Sequence, residues 1–146
     1  MYSHELRKAC ANVLSEGRAR LSLSMGIVSH IKNDTYEVVA IDADIPVFVP
    51  GEVFPLNDTY CREVYEKGTT VALTELAGVP GLQKHPLYEG LPLEAYISTP
   101  IFKNEAVWGT FNFSCMKLKH EKFTDEDISY IEALAQLLSA TLVNEA

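Results

Sequence analysis

Hydrophobic and polar positions are most regularly ordered near the middle of the chain, in Glu94–Cys115, which reads EAYISTPIFKNEAVWGTFNFSC. Two apolar, aromatic-rich runs, Ala95–Phe102 and Ala106–Ser114, flank a polar Lys103-Asn104-Glu105. This pattern predicts a β-hairpin. Period two sorts the second run into two faces. Val107, Gly109, Phe111 and Phe113 form an apolar face that should pack against helices. Trp108, Thr110, Asn112 and Ser114 form a mixed face of one large ring, two hydroxyls and an amide. A central strand that turns such groups toward protein either satisfies a core or lines a pocket.

Elsewhere the pattern changes period. Leu6, Ala9, Cys10, Val13 and Leu14 have helical spacing within Tyr2–Ser15, and Gly17 weakens or ends that helix. Leu23–Ile31 and Tyr36–Ile41 read as strands of a first hairpin around Lys32-Asn33-Asp34. Pro46, Pro50 and Gly51 make Asp42–Glu52 a connection with room for a short strand at Val47–Val49. Pro55 limits Val53–Leu56 to a short edge segment. Asn57 and Asp58 supply capping groups for a helix over Thr59–Lys67, which Gly68 stops, and Thr70–Thr74 is a further short strand. Gly78–Pro92 holds Gly78, Pro80, Gly81, Pro86, Gly90 and Pro92, so it predicts a long irregular loop or lid. That lid favours a pocket over a plain core beneath the mixed strand face. Met116–Lys122 reads as an exposed basic loop. Thr124 and three following acids open a last helix with a buried stripe of Ile128, Ile131, Leu134, Ala135, Leu138 and Leu142. The order predicts an α+β domain: a central antiparallel sheet of five to six strands with the N- and C-terminal helices on one face.

Composition narrows the partners. A chain of 146 residues is one domain, here residues 1–146 with a core over about 6–142. The net charge of −8 argues against nucleic acid and against an anionic membrane surface. Apolar runs fall short of the ~20 residues that a membrane span needs. The N-terminus, MYSHELRKAC, lacks a signal-peptide apolar core. Cys10, Cys61 and Cys115 are an odd, widely spaced set that suggests free thiols and a cytoplasmic setting. His4, His30, His85 and His120 show no i, i+4 pair and there is no Cys-x-x-Cys, so no metal site is expected. No Gly-rich phosphate loop and no nucleophile elbow is present.

FPLNDTYCREVYEKG (Phe54–Gly68), KHPLYEGLPLEAYISTPIF (Lys84–Phe102), VWGTFNFSC (Val107–Cys115) and FTDEDISYIEALAQLL (Phe123–Leu138) together resemble a GAF domain. The resemblance is to the modules attached to bacterial sensor histidine kinases and related signalling proteins, and it covers roughly Leu6 to Leu142. It implies terminal helices on one face of the sheet and loops enclosing a small-molecule pocket on the other. It also implies a regulatory sensor, with a histidine kinase or another output domain as partner. Two other GAF-like readings fit less well. Free methionine-(R)-sulfoxide reductases carry catalytic cysteines in the lid region, and Gly78–Pro92 has none. Bilin photoreceptor modules attach their chromophore through a Cys next to a His, and no such pair occurs. No catalytic residue is therefore expected.

The expected pocket is lined by Tyr60, Cys61, His85, Tyr88, Tyr96, Ser98, Thr110 and Asn112, around a small molecule whose identity the sequence leaves open. Cys61, in the first turn of its helix, is either an activated thiol or a small buried apolar residue beside Val64 and Tyr65; free cysteines are more often the latter. His85 is a ligand contact, a pH-sensitive latch or a loop cap. Tyr88 and Tyr96 stack on a planar ligand or fill the interface between lid and sheet. On the terminal helices, Leu134, Leu137, Thr141 and Tyr130 widen the apolar stripe beyond one buried face. Tyr2 and Leu6 extend the first helix similarly. That surplus predicts a weak two-fold homodimer through the terminal helices, with a purely structural dimerisation module as the alternative.

Overall fold

A computed structural model describes residues 2–44, 48–56, 61–73, 95–115 and 123–143. In chain order these form α1 (His4–Leu21), β1 (Met25–Lys32), β2 (Thr35–Ala43), β3 (Val53–Pro55), α2 (Cys61–Lys67), β4 (Val71–Leu73), β5 (Ala95–Lys103), β6 (Ala106–Cys115) and α3 (Asp125–Leu142). The strands make one six-stranded antiparallel sheet in the order β3-β2-β1-β6-β5-β4. The α+β architecture expected from the sequence is the one observed. The expected lid, Gly78–Pro92, the basic loop Met116–Lys122, and Tyr60, His85 and Tyr88 lie outside the described residues. Phe48 and Val49 are not in a strand.

Each hairpin turns over two residues in the left-handed region: Asn33 and Asp34 between β1 and β2, and Asn104 and Glu105 between β5 and β6. Such turns match the right-handed twist of paired strands. Ser3 caps α1 by accepting from the Leu6 amide at 3.1 Å. Thr124 and Asp127 form a reciprocal capping box on α3, with bonds of 2.9 and 3.0 Å.

Two apolar clusters lie on opposite faces of the sheet. Leu6, Cys10, Val13 and Leu14 of α1 and Ile131, Leu134, Ala135 and Leu138 of α3 pack on Val28, Ile97, Ile101, Phe111 and Phe113. Met25, Ile27, Ile31, Tyr36, Val38 and Tyr96 belong to the other face, with Phe48, Leu56 and Tyr65 against them. The Arg18 guanidinium ties α1 to the end of β2 through Asp42 at 2.7 Å and through Asp44.

Three expectations need correction. Gly17 does not end α1, which runs on to Leu21 with a left-handed Ser22 as its cap. Its missing side chain is what the fold uses. A Cβ there would lie 2.1 Å from the tip of the Phe113 ring, and one on Gly26 would lie 2.6 Å from the same ring. Tyr2 does not extend the helical stripe, because it precedes the Ser3 cap and turns toward the sheet. Finally, Trp108 does not share a face with Thr110. The β5–β6 register slips between Ile101 and Phe102, so Trp108 is the extra residue of a β-bulge. The bulge carries it to the helix-covered cluster. Val107, expected on that face, instead pairs with Phe102 and sits by Gly68 at the end of α2.

The Phe113 slot yields a prediction. Gly17→Ala should destabilise the domain by ~1–3 kcal/mol despite its better helix propensity, since overpacking outweighs propensity. Adding Phe113→Leu should recover part of that loss, so that the double variant is more stable than the sum of the single effects implies. Urea denaturation of the four proteins checks the cycle.

Candidate functional site

The face of the sheet opposite the terminal helices carries a polar patch on its three central strands. Period two brings Tyr96 and Ser98 of β5 there, with Thr110, Asn112 and Ser114 of β6 and Ser29 of β1. Register aligns Ser98 with Asn112, Tyr96 with Ser114, and Thr110 with Ser29. All six are buried. Apolar residues of the same face, Met25 and Ile27, stand beside Ser114 and Asn112.

The patch is only partly satisfied. The Ser29 and Thr110 hydroxyl oxygens lie 2.6 Å apart, and the Thr110 amide donates to Ser29 Oγ at 3.2 Å. Asn112 Nδ2 donates to the Tyr36 hydroxyl at 3.4 Å. Ser98 Oγ and Ser114 Oγ are 0% and 2% exposed residues' hydroxyls with no hydrogen-bond partner among the described residues. A buried hydroxyl without a partner costs about 1–3 kcal/mol, so two on neighbouring strands call for water, a ligand or a group beyond the described residues.

The eight residues expected in the pocket therefore divide. Tyr96, Ser98, Thr110 and Asn112 lie together on one face, away from the helices. Tyr60, His85 and Tyr88 are outside the described residues, as is the Cys61 side chain; the Cys61 backbone starts α2, which packs against β5 and β6. Sequence reasoning missed Ser29 and Tyr36. Ser29 was legible, being in phase with Met25, Ile27 and Ile31 on β1. Tyr36 was not, since its role depends on which strand pairs with β1. Among the described residues no group of three or more His, Cys, Asp or Glu could hold a metal ion. Among them, too, no helix is long and apolar enough to cross a membrane.

A second cluster sits on the helix side, at the far end of the same strands. His30 stacks on Trp108 with ring centres 4.3 Å apart and planes 8° apart. Tyr2 meets both rings edge-on. The Tyr2 hydroxyl donates to Glu37 Oε1 at 2.7 Å and contacts His30 Nδ1 at 3.0 Å. Its single proton goes to the carboxylate, so the His30 contact is Nδ1–H donating to the phenol oxygen. The cluster borders an open groove of about 590 Å³ that also takes in Lys32, Lys103 and Leu142. Burial, then the bond to Glu37 and its charge, push the Tyr2 phenol well above its ordinary range, so it keeps its proton. Burial pulls His30 below its ordinary value of 6.5, more strongly than Glu37 raises it, and Lys32 and Lys103 add to the lowering.

A group whose folded pKa is depressed gives stability above its unfolded pKa and loses it as pH falls through the folded value. Wild-type protein should therefore lose stability relative to His30→Asn, which keeps a donor toward Tyr2 but does not titrate, as pH falls from about 7 to about 5. Thermal melts of both proteins across that range give the difference. Parallel pH profiles would show that His30 is not held neutral.

The geometry can be set beside known proteins. A family model described as the GAF domain matches residues 5–142. No curated protein sequence matches the chain. Among solved structures, a cyanobacteriochrome receptor, PixJ, aligns with a TM-score of 0.79 at 19% identity, covering 97% of both chains. The blue-light absorbing form of the PixJ GAF domain from Thermosynechococcus elongatus aligns at 0.77 and 21% identity, over 98% of this chain and 89% of that one. The GAF domain of a phosphoenolpyruvate-protein phosphotransferase from Coxiella burnetii aligns at 0.76 and 16% identity, over 92% and 80%. At these identities the structures speak for the fold, and the family model, matching nearly the whole chain, settles the classification: the chain belongs to the GAF domain family.

Proposed function

We propose that this GAF domain is a noncatalytic sensory module in signal transduction, which holds a small molecule against the polar face of its sheet. The observation that carries the reading is the pair of buried hydroxyls, Ser98 on β5 and Ser114 on β6, which have no hydrogen-bond partner among the described residues and lie close to Asn112 and Thr110. The described part of the face offers hydroxyls, an amide and two phenols, and no charged side chain. It fits an uncharged hydrogen-bonding edge of a ligand, flanked by apolar surface from Met25 and Ile27. Membership of the GAF family and the likeness to cyanobacteriochrome receptors support a sensory role. Against a covalent bilin stands the sequence, where Ala11, Arg62 and Met116 follow the three cysteines and no His does. Against a thiol enzyme stands the placement of Cys10, buried in α1, and Cys115, at the end of β6. They lie on separate elements, and both are on the helix side of the sheet, Cys10 within that cluster and Cys115 packed against it, away from the polar face.

Native mass spectrometry of the freshly purified protein tests this. A co-purified small molecule should appear on the wild type and be lost from Asn112→Leu and Ser98→Val, both folded by circular dichroism. A bound molecule retained at full occupancy by both variants would contradict the assignment of the face.

One exposed stripe supports a second property, self-association. Leu137 is 59% exposed, and Ala133 and Ala140 are exposed above and below it. With half-covered Tyr130 they follow a 3-4-3 spacing along α3. Leu134 is covered within the chain, and Arg20 lies over the Tyr130 ring at 4.7 Å, so the surplus apolar surface is narrower than the sequence implied. We propose a weak two-fold homodimer through α3 and α1, which would pass the signal to a histidine kinase or other output partner as a change in helix angle. Sedimentation velocity over a concentration series should show a reversible dimer that Leu137→Glu abolishes. A monomer at every concentration would contradict it.

A further inference from the structure

We infer that the Ser29–Thr110 contact on the polar face and the Tyr2–His30–Trp108 cluster on the helix face are the two sides of one coupling element, which reports occupancy of the face to the start of α1. The inference rests on the proposed binding role of that face. Its first support is adjacency in two strands at once. Ser29 and His30 are consecutive in β1, and Trp108, Gly109 and Thr110 are consecutive in β6. Ser29 pairs with Thr110, and His30 with Gly109. Any shift of the Ser29–Thr110 pair on one face therefore moves the His30–Trp108 stack on the other.

The second support is the lack of slack between them. A Cβ on Gly109 would lie 1.8 Å from the Ser29 carbonyl oxygen, so the two backbones are in closest approach at this point. Nothing separates the hydroxyl pair from the ring stack except this backbone contact.

The third support is local irregularity. The Thr110 amide is held by the Ser29 side chain at 3.2 Å. A side-chain acceptor can rotate away toward a ligand without the whole strand pair separating. Directly before Gly109, Trp108 bulges out of the β5–β6 ladder, and β2 slips its register beside Val28 and Ser29. A bulge leaves its extra residue unpaired and disrupts the ladder locally, so fewer inter-strand bonds hold the backbone at this point. The readout end is also defined. Tyr2 immediately precedes the Ser3 cap of α1 and is fixed by His30 and by Glu37 of β2. A change in the stack alters the anchor of the helix that the proposed dimer uses.

Among the described residues, the charged and titratable groups around His30 are Tyr2, Glu37 on β2, Lys32 on β1 and Lys103 at the end of β5. None of these lies on the polar face, so a substitution there reaches His30 only through the backbone link. Trp108 is the sole tryptophan, and its emission isolates the cluster.

Thr110→Val keeps the shape of the side chain and removes the hydroxyl contact. It is tested without any ligand, so its outcome is independent of whether a small molecule is ever found. The first readout is the pH titration of Trp108 emission, quenched as the stacked His30 gains a proton. The second is amide hydrogen exchange in the first turn of α1. Coupling through packed networks of this kind should move the His30 midpoint and change the exchange rate by roughly 2- to 30-fold. Ile41→Val, a conservative truncation on the same face but on β2, where Ile41 pairs with Ile27, is the control and should leave both readouts at the wild-type values. The reciprocal variant, Tyr2→Phe, should change exchange at the Thr110 amide by a similar factor. Wild-type titration and exchange in a folded Thr110→Val protein would overturn the coupling. Equal effects from Ile41→Val would overturn it too, since the response would then be general loosening. Absence of a co-purified molecule, with the coupling intact, would count against the binding proposal alone.

Discussion

The Phe113 ring, seated between Gly17 of α1 and Gly26 of β1, fixes how the central strand can face. The slot admits a ring only because both neighbours lack a side chain. With Phe113 there, Phe111 must also point to the helices, where the two rings pack edge to face at 4.9 Å. Strict alternation then leaves Asn112 and Ser114 no direction except the opposite face. A slip of one residue would put an amide and a hydroxyl into the apolar slot and two phenylalanines on the polar side. The helix packing, the register of β6 and the position of the polar patch are thus consequences of one close approach.

Much of this was readable from the chain. The two hairpins announced themselves by Lys32-Asn33-Asp34 and Lys103-Asn104-Glu105 between apolar runs, and α3 by Thr124, its acids and its leucine stripe. From Thr110 onward the faces of β6 followed from period two alone. What failed has physical causes. A bulge breaks the period without changing composition, so Trp108 landed on the wrong face. Gly17 obeys propensity in isolation but answers to a ring brought from 96 positions along the chain, at Phe113. Tyr2 looked helical because its phenol partner, Glu37, is 35 residues away. Local rules cannot see long-range partners, and these three residues depend on them.

The two proposals share a single logic. Burying hydroxyls in a sheet that could have been apolar on both faces is unfavourable unless something answers them. Thr110 is answered by Ser29 and Asn112 by Tyr36, whereas Ser98 and Ser114 are not answered among the described residues. The helix face shows the opposite economy: its polar groups, Tyr2, His30 and Glu37, form a closed chain of bonds at the point where α1 begins. A sensory domain needs both kinds of region, an open set of hydrogen-bonding groups to meet a ligand and a closed set that holds the output helix in place.

The most direct test of this account is a high-resolution crystal structure of the protein as purified. The account predicts an ordered small molecule, or water standing in for it, within hydrogen-bond distance of both Ser98 Oγ and Ser114 Oγ. A structure in which both hydroxyls bond only to the protein's own groups, with no enclosed volume beside them, would contradict it.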